Sequence, residues 1–222
     1  MRVRYLCDRV IEHYWSRINP QDFTALTAPR DPYYILIATI LSQNTSDVNS
    51  SRALARLIEV VGVPVDVGKV LELGVERLAE LIRVSGLHYA KARTILQLLR
   101  SLSREELEYD EPELLRTKLL KIPGIGYKTA DVFLLMYRNH PIFPMDTHIR
   151  RVLHRYGTVD LRENYERARR RVEEELPREA NYLLKAHLSL IQHGRSTCKA
   201  RKPLCDTCIV NPECLKRVSP GN

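Results

Sequence analysis

Four of the five cysteines crowd into the C-terminal stretch, in the pattern Cys198-x6-Cys205-x2-Cys208-x5-Cys214. Four thiolates within seventeen residues can close around one metal centre. Zinc ribbons usually use two Cys-x-x-Cys knuckles, whereas this tail has one such pair and outer arms of unequal length. Uneven spacing wraps a [4Fe-4S] cube more naturally than a tetrahedral ion, and the spacing alone leaves zinc open as the alternative. Lys199, Arg201 and Lys202 lie between the first two cysteines, so a closed centre would fix a small loop that displays cations. Such a loop could grip phosphates, or it could simply staple the C-terminus.

A second stretch with chemical content is Ile122-Pro123-Gly124-Ile125-Gly126-Tyr127-Lys128-Thr129-Ala130. A helical run ending near Leu120 meets a proline and two glycines. A new apolar-periodic run (Ala130, Phe133, Leu134, Tyr137) then starts at once. The pattern predicts a helix-hairpin-helix. Gly124 and Gly126 let the turn bring backbone amides close to another backbone. Those amides sit at a helix start, where unpaired N–H groups and the helix dipole favour an anion such as a nucleic-acid phosphate. A purely structural turn between packed helices is the other reading of Pro-Gly-x-Gly.

The elements that must position these residues read as helices throughout. The chain has 222 residues, 44% hydrophobic and 28% charged, which is ordinary for a globular protein with a full core in one or two domains. A net charge of +8 suits a polyanionic partner without specifying one. At the N-terminus Val3, Leu6, Val10, Tyr14 and Ile18 recur at helical spacing among charges, predicting an amphipathic helix rather than a signal segment. Cys7 and Trp15 on it are expected in the core. The longest apolar run, Tyr33 to Leu41, is too short to span a bilayer, and the chain reads as intracellular and soluble.

Asp31-Pro32 forms an N-cap with proline at the first helical position, opening a buried helix through Leu41. A polar loop, Ser42 to Ser46, leads to a helix carrying Leu54, Leu57, Ile58 and Val61 and ended by Gly62 and Pro64. A short helix is predicted over 75–84, stopped by Gly86, and a longer one with Ala92, Ile95, Leu96 and Leu99 on its inner face. Further helices are predicted at 112–120, from the hairpin to about 138, and at 146–156, 163–175 and 179–193. The mixed charges from Arg162 to Glu175 read as a solvated helix face. With no sustained period-two alternation, the fold class is all-α.

The hairpin, the segment Met145-Asp146-Thr147-His148-Ile149-Arg150-Arg151-Val152, and His193-Gly194-Arg195 leading into the cysteine tail together resemble the endonuclease III family of DNA glycosylases. The resemblance runs from about Tyr33 to Cys214. It implies two helical domains flanking a DNA-binding cleft: a six-helix domain with the helix-hairpin-helix over 24–140, and a second built from 1–23 and 141–222 with the iron-sulfur cluster loop. It also implies catalytic Lys128 and Asp146 and a [4Fe-4S] cluster on Cys198, Cys205, Cys208 and Cys214. The partner is double-stranded DNA containing a damaged base or an abasic site. The expected protein is a cytoplasmic, nucleoid-associated monomer.

The residues admit that chemistry. Removing a damaged base breaks the N-glycosidic bond at C1′, and a neutral amine can take over that carbon as a Schiff base. Lys128 falls in the first turn of its helix, where the dipole disfavours a cation and should lower its pKa; a phosphate-binding or solvent-facing lysine is the alternative. Asp146 precedes Thr147-His148-Ile149 as an N-cap, a role compatible with a fixed negative charge beside an oxocarbenium-like sugar or with accepting the lysine proton. From Lys128 to Arg138 is about 15 Å of helix, and the link from Asn139 to Met145 can span about 23 Å, enough to return Asp146 alongside Lys128.

The family extrudes the target nucleotide and fills the gap from two loops, which match Ser42 to Ser46 and Ser85 to His88 here. Leu87 is the candidate wedge from the second. In the first, Asn44 stands where relatives commonly carry glutamine and Gln43 precedes it, so both are candidates. Retention of Lys128 with Tyr127 only its neighbour, and an end soon after the cysteines, favour oxidised pyrimidines of the thymine glycol type. The implied reaction is a bifunctional glycosylase/lyase reaction through a lysine Schiff base and β-elimination. The alternatives are a thymine or uracil glycosylase acting opposite guanine, and a catalytically silent DNA-binding module.

Overall fold

The computed structural model of the chain describes residues 1–216. Among them every regular element is helical: α1 (Arg2–Tyr14), α2 (Thr24–Thr27), α3 (Pro32–Leu41), α4 (Asp47–Val61), α5 (Val67–Leu81), α6 (His88–Ser101), α7 (Arg104–Tyr109), α8 (Pro112–Leu120), α9 (Tyr127–Met136), α10 (Thr147–Tyr156), α11 (Tyr165–Glu173) and α12 (Ala180–Ser196). No helix among the described residues is long and apolar enough to cross a membrane. The chain divides into two units, one spanning Asn19–Arg138 and the other combining Met1–Ile18 with Asn139–Asn222.

The Asn19–Arg138 unit is built around α3, whose ten residues are all buried. Asp31 starts it: one carboxylate oxygen accepts the amides of Tyr33 (2.9 Å) and Tyr34 (3.2 Å), satisfying two N–H groups that a helix start leaves unpaired. The other oxygen accepts the Val65 amide and the Arg104 guanidinium, so this one buried acid ties together three separated segments. Helices α2, α4, α6, α7 and α9 pack around α3. Ser46 caps α4 and Gly62, at φ +77°, ends it.

One sequence expectation is corrected in this unit, and one helix is added to those expected. The short helix over 75–84 is the second half of a longer α5, which bends at Gly74 where φ is +64°, and the chain then tightens into a 3₁₀ turn over Arg83–Ser85. Asp66, accepting the Lys69 amide at 3.0 Å, is the start signal that moves the boundary back. The added helix is α7, which is too short for its apolar period to register. It is held by a capping box in which Ser103 and Glu106 each accept the other's backbone amide.

In the other unit α1 and α10 both pack against α12. Helix α1 buries Val3, Leu6, Cys7, Val10 and Tyr14, a single stripe at helical spacing. Cys7 lies in the core as expected, but Trp15 does not: it is 36% exposed, with the Lys185 ammonium over its ring at 5.5 Å. It sits past the end of α1 in a 3₁₀ turn, which rotates it off the buried stripe. Helix α11 also departs from the solvated-face reading. Arg169 is only 7% exposed, and it is buried because Glu173 (2.6 Å) and Glu166 (3.1 Å) neutralise it from the same helix.

Candidate catalytic residues and nucleic-acid interface

The hairpin is formed in the Asn19–Arg138 unit. After α8 the Ile122 amide donates to Leu119 O and the Ile125 amide to Ile122 O, both at 3.0 Å. Ile122 and Ile125 point inward, which leaves Pro123, Gly124, Gly126 and Tyr127 exposed. Beneath them Arg116 of α8 pairs with the fully buried Asp131 of α9 at 2.6 Å and lies over the Tyr127 ring. That ion pair fixes the angle between the two helices. Sequence reasoning missed it, although a charged residue on each inner helix face was visible.

The two glycines of the turn do different things. Gly124 has φ +92°, and a Cβ there would collide with Thr94, whose hydroxyl donates to Pro123 O at 3.0 Å. Gly126 has φ −96°, and a Cβ there meets nothing within 4 Å. Gly124→Ala is therefore expected to cost about 1–3 kcal/mol in denaturant unfolding, while Gly126→Ala stays within about 0.5 kcal/mol. Gly126 serves an open surface in front of the first-turn amides. Lys128 is the second residue of α9 and half-buried, on that same first turn.

Leu87 is 61% exposed and sits at φ +47°, ψ +30°, a conformation that costs a bulky side chain of order 1–3 kcal/mol. Gly86 before it is at φ +67°, so the loop turns sharply and holds an apolar side chain out in solvent. In the other loop Gln43 is engaged with the hairpin: its amide donates to Gly124 O (3.1 Å) and Thr129 Oγ1 (3.2 Å). Asn44 is exposed at φ +51°, a conformation that asparagine tolerates. The geometry thus divides the two candidates, Gln43 bracing the hairpin and Asn44 standing outward.

Asp146 belongs to the second unit. Its Oδ1 accepts the Ile149 amide at 2.8 Å, so it is the N-cap of α10. The strand-like approach to it is pinned on three consecutive residues. Phe143 N donates to Glu173 (2.7 Å), Pro144 O meets His187 Nδ1 (2.9 Å), and Met145 N donates to the Tyr165 hydroxyl (3.1 Å). A carboxylate whose backbone is held on both sides has little freedom to move. None of these supports was visible in sequence, because their partners lie 20 to 43 positions away.

All four tail cysteines line one cavity, whose walls also include Leu6, Val152, His193 and Val210. Burial raises the Cys208 and Cys214 thiols above the ordinary value. His193 Nε2 lies 3.8 Å from Cys208 Sγ and its Nδ1 meets the Tyr14 hydroxyl at 3.2 Å; burial pushes its pKa down to about 4, leaving a neutral ring. Among the described residues no three His, Cys, Asp or Glu side chains converge on a single-ion site. Helix α10 holds the tail by two arginines one turn apart. Arg151 donates to Gly194 O and Cys198 O, and Arg155 to Lys199 O, Ala200 O and Cys198 Sγ. With its carbonyls so taken, the loop leaves Lys199, Arg201 and Lys202 exposed.

Comparison with known proteins adds to this geometry. Residues 37–178 match the family described as HhH-GPD superfamily base excision DNA repair protein. The chain is 37% identical to endonuclease III of Sulfolobus acidocaldarius over 186 residues, 83% of this chain and 82% of the relative. It is 37% identical to that of Escherichia coli K12 over 196 residues, 88% and 89% of the two chains. Among solved structures it is similar to a non-covalent endonuclease III–DNA complex and to a trapped endonuclease III–DNA covalent intermediate. Each has a TM-score of 0.80 and 26% identity, covering 96% of this chain and 93% of the other.

Proposed function

This chain belongs to the endonuclease III family of HhH-GPD base excision repair proteins, and from that premise we propose that Lys128 and Asp146 carry its reaction on DNA containing an oxidised pyrimidine. It is an endonuclease III-type DNA glycosylase with abasic-site lyase activity. The observation that carries the residue assignment is Lys128, half-buried in the first turn of the helix that the hairpin opens, at the positive end of the helix dipole where a phosphate is favoured.

The neutral Lys128 amine attacks C1′; the C1′–N bond breaks and the base leaves with a proton. The sugar ring opens to a protonated Schiff base. Loss of a C2′ proton then expels the 3′ oxygen with its phosphate, the β-elimination, and water releases the lysine. Asp146 supplies a fixed negative charge for the cationic sugar and an acceptor for the lysine proton. Leu87 enters the stack where the target nucleotide leaves, with Asn44 reaching in from the other loop. Gln43 keeps the hairpin in place behind them. Gly124 and Gly126 offer backbone to a phosphate, as Lys199, Arg201 and Lys202 offer charge.

Cys198, Cys205, Cys208 and Cys214 are read as ligands of a [4Fe-4S] cluster. Thiols set around the walls of one largely apolar cavity suit a cube that fills it, and half-buried thiolates whose surroundings raise their pKa are held deprotonated by a positive centre. Held by these four cysteines, a cluster would close the tail loop and would supply one-electron redox chemistry. Cys208→Ser is expected to lose the yellow-brown colour and most of the iron. A colourless anaerobic preparation with stoichiometric zinc overturns this assignment.

Borohydride trapping tests the whole reading, on duplexes with thymine glycol opposite adenine and with thymine opposite guanine. The expected result is a covalent adduct on thymine glycol. Trapping mainly on the mismatch would keep the lysine chemistry and change the substrate. Tight binding with no adduct on either would remove both from the lyase assignment.

A further inference from the structure

Lys91 is the one lysine buried to 3% exposure in the Asn19–Arg138 unit, and no carboxylate lies among its hydrogen-bond partners. Its ammonium donates to Leu41 O at 2.8 Å and Ser85 O at 2.7 Å. Burial pushes its pKa down to about 8, so holding the charge is costly, and a methionine would fill the same space without that cost. The two carbonyls are where this cost is offset. Leu41 is the last residue of α3, directly before Ser42, Gln43 and Asn44. Ser85 is the last residue before Gly86 and Leu87.

The grip on the second loop is double, because the Lys91 backbone amide also bonds Leu87 O at 3.0 Å. Backbone and side chain of one residue thus bracket Gly86, the residue whose positive φ turns the loop. One turn further along α6, Thr94 bonds Pro123 O of the hairpin, and from the first loop Gln43 bonds Gly124 O. Three turns proposed to meet DNA are therefore tied to one helix face. Within α6 it is Lys91 that ties the two gap-filling loops to each other.

We propose that Lys91 is a positioning residue that locks the Ser42–Ser46 loop and the Leu87 loop together, so that Leu87 is presented in a fixed attitude when the target nucleotide leaves the stack. This rests on the reading of Leu87 as the gap-filling side chain. Lys91 touches neither sugar nor base; it acts through Ser85 and Leu87. Its loss should slow base removal far more than it weakens duplex binding, which the phosphate contacts supply.

The test is a double-mutant cycle on single-turnover excision of thymine glycol, with duplex Kd measured in parallel, well below each variant's melting temperature. Leu87→Ala and Lys91→Met are each expected to slow excision by about 10-fold or more with Kd within about 3-fold, and the double variant to be no more than about 3-fold slower than the worse single. Losses that multiply, or Lys91→Met at the wild-type rate, overturn the positioning role and leave Leu87 standing. Leu87→Ala at the wild-type rate removes the gap-filling reading itself, and this proposal with it. Lys91→Gln, which keeps N–H donors on a shorter, uncharged side chain, is expected to recover part of the rate. It replaces Lys91→Met in the cycle should the methionine variant not fold.

Discussion

Lys128→Gln is expected to abolish the borohydride adduct and to lower turnover by at least about 1,000-fold, with duplex Kd within a few-fold of wild type. Glutamine nearly preserves the length of the side chain and its capacity to donate a hydrogen bond, but it has no amine to attack C1′. The fold should not suffer. Lys128 is half-buried on the first turn of α9, where a cation opposes the helix dipole, so its removal is expected to leave the melting temperature unchanged or slightly raised. Turnover retained in this variant would remove Lys128 from the chemistry. A purely phosphate-binding lysine would instead show weaker binding and a salt slope smaller by about one unit, with turnover at saturation unchanged.

Asp146→Asn is expected to fold and bind normally while losing about 100- to 1,000-fold in turnover. The contrast with Asp146→Ala carries the argument. Asparagine caps a helix as well as aspartate, so the bond to the Ile149 amide survives and only the charge is lost. Alanine removes the cap as well, and about 1 kcal/mol of stability should go with it. Equal loss of binding and turnover in the asparagine variant would mean that the residue serves the helix alone. Saturation kinetics beside thermal melts distinguish these outcomes.

Much of this architecture was legible because its signals are local. Asp31-Pro32 before ten apolar residues is a start signal with a buried helix behind it, and the structure has that cap and that helix. Proline and two glycines between apolar runs predicted the hairpin, and Asp146 before Thr147 predicted the cap of α10. What stayed hidden was long-range. The bond from Lys91 to Leu41 crosses 50 residues, and nothing in His88-Tyr89-Ala90-Lys91 distinguishes a buried ammonium from a solvated one. Gly74 reads in sequence as a break, which shortens the predicted helix, whereas it bends a helix that Asp66 has already begun. Residue type alone predicts Trp15 in the core, and one residue past the end of α1 is enough to turn it outward. Periodicity states which face is apolar; it does not state where a helix ends.

The pairing of α1 with α12 has a consequence for how the protein is made. The stripe of Val3, Leu6, Cys7, Val10 and Tyr14 finds its cover in a helix that begins at Ala180, and Arg2 reaches Tyr156 O and Glu213 O. On the ribosome α1 must therefore wait while some 166 residues are added, about ten to thirty seconds at typical elongation rates. Throughout that interval the Asn19–Arg138 segment can mature on its own core, but the N-terminal stripe stays sticky and unshielded. Nascent chains stalled before α12 should accordingly engage chaperones through the uncovered stripe of α1.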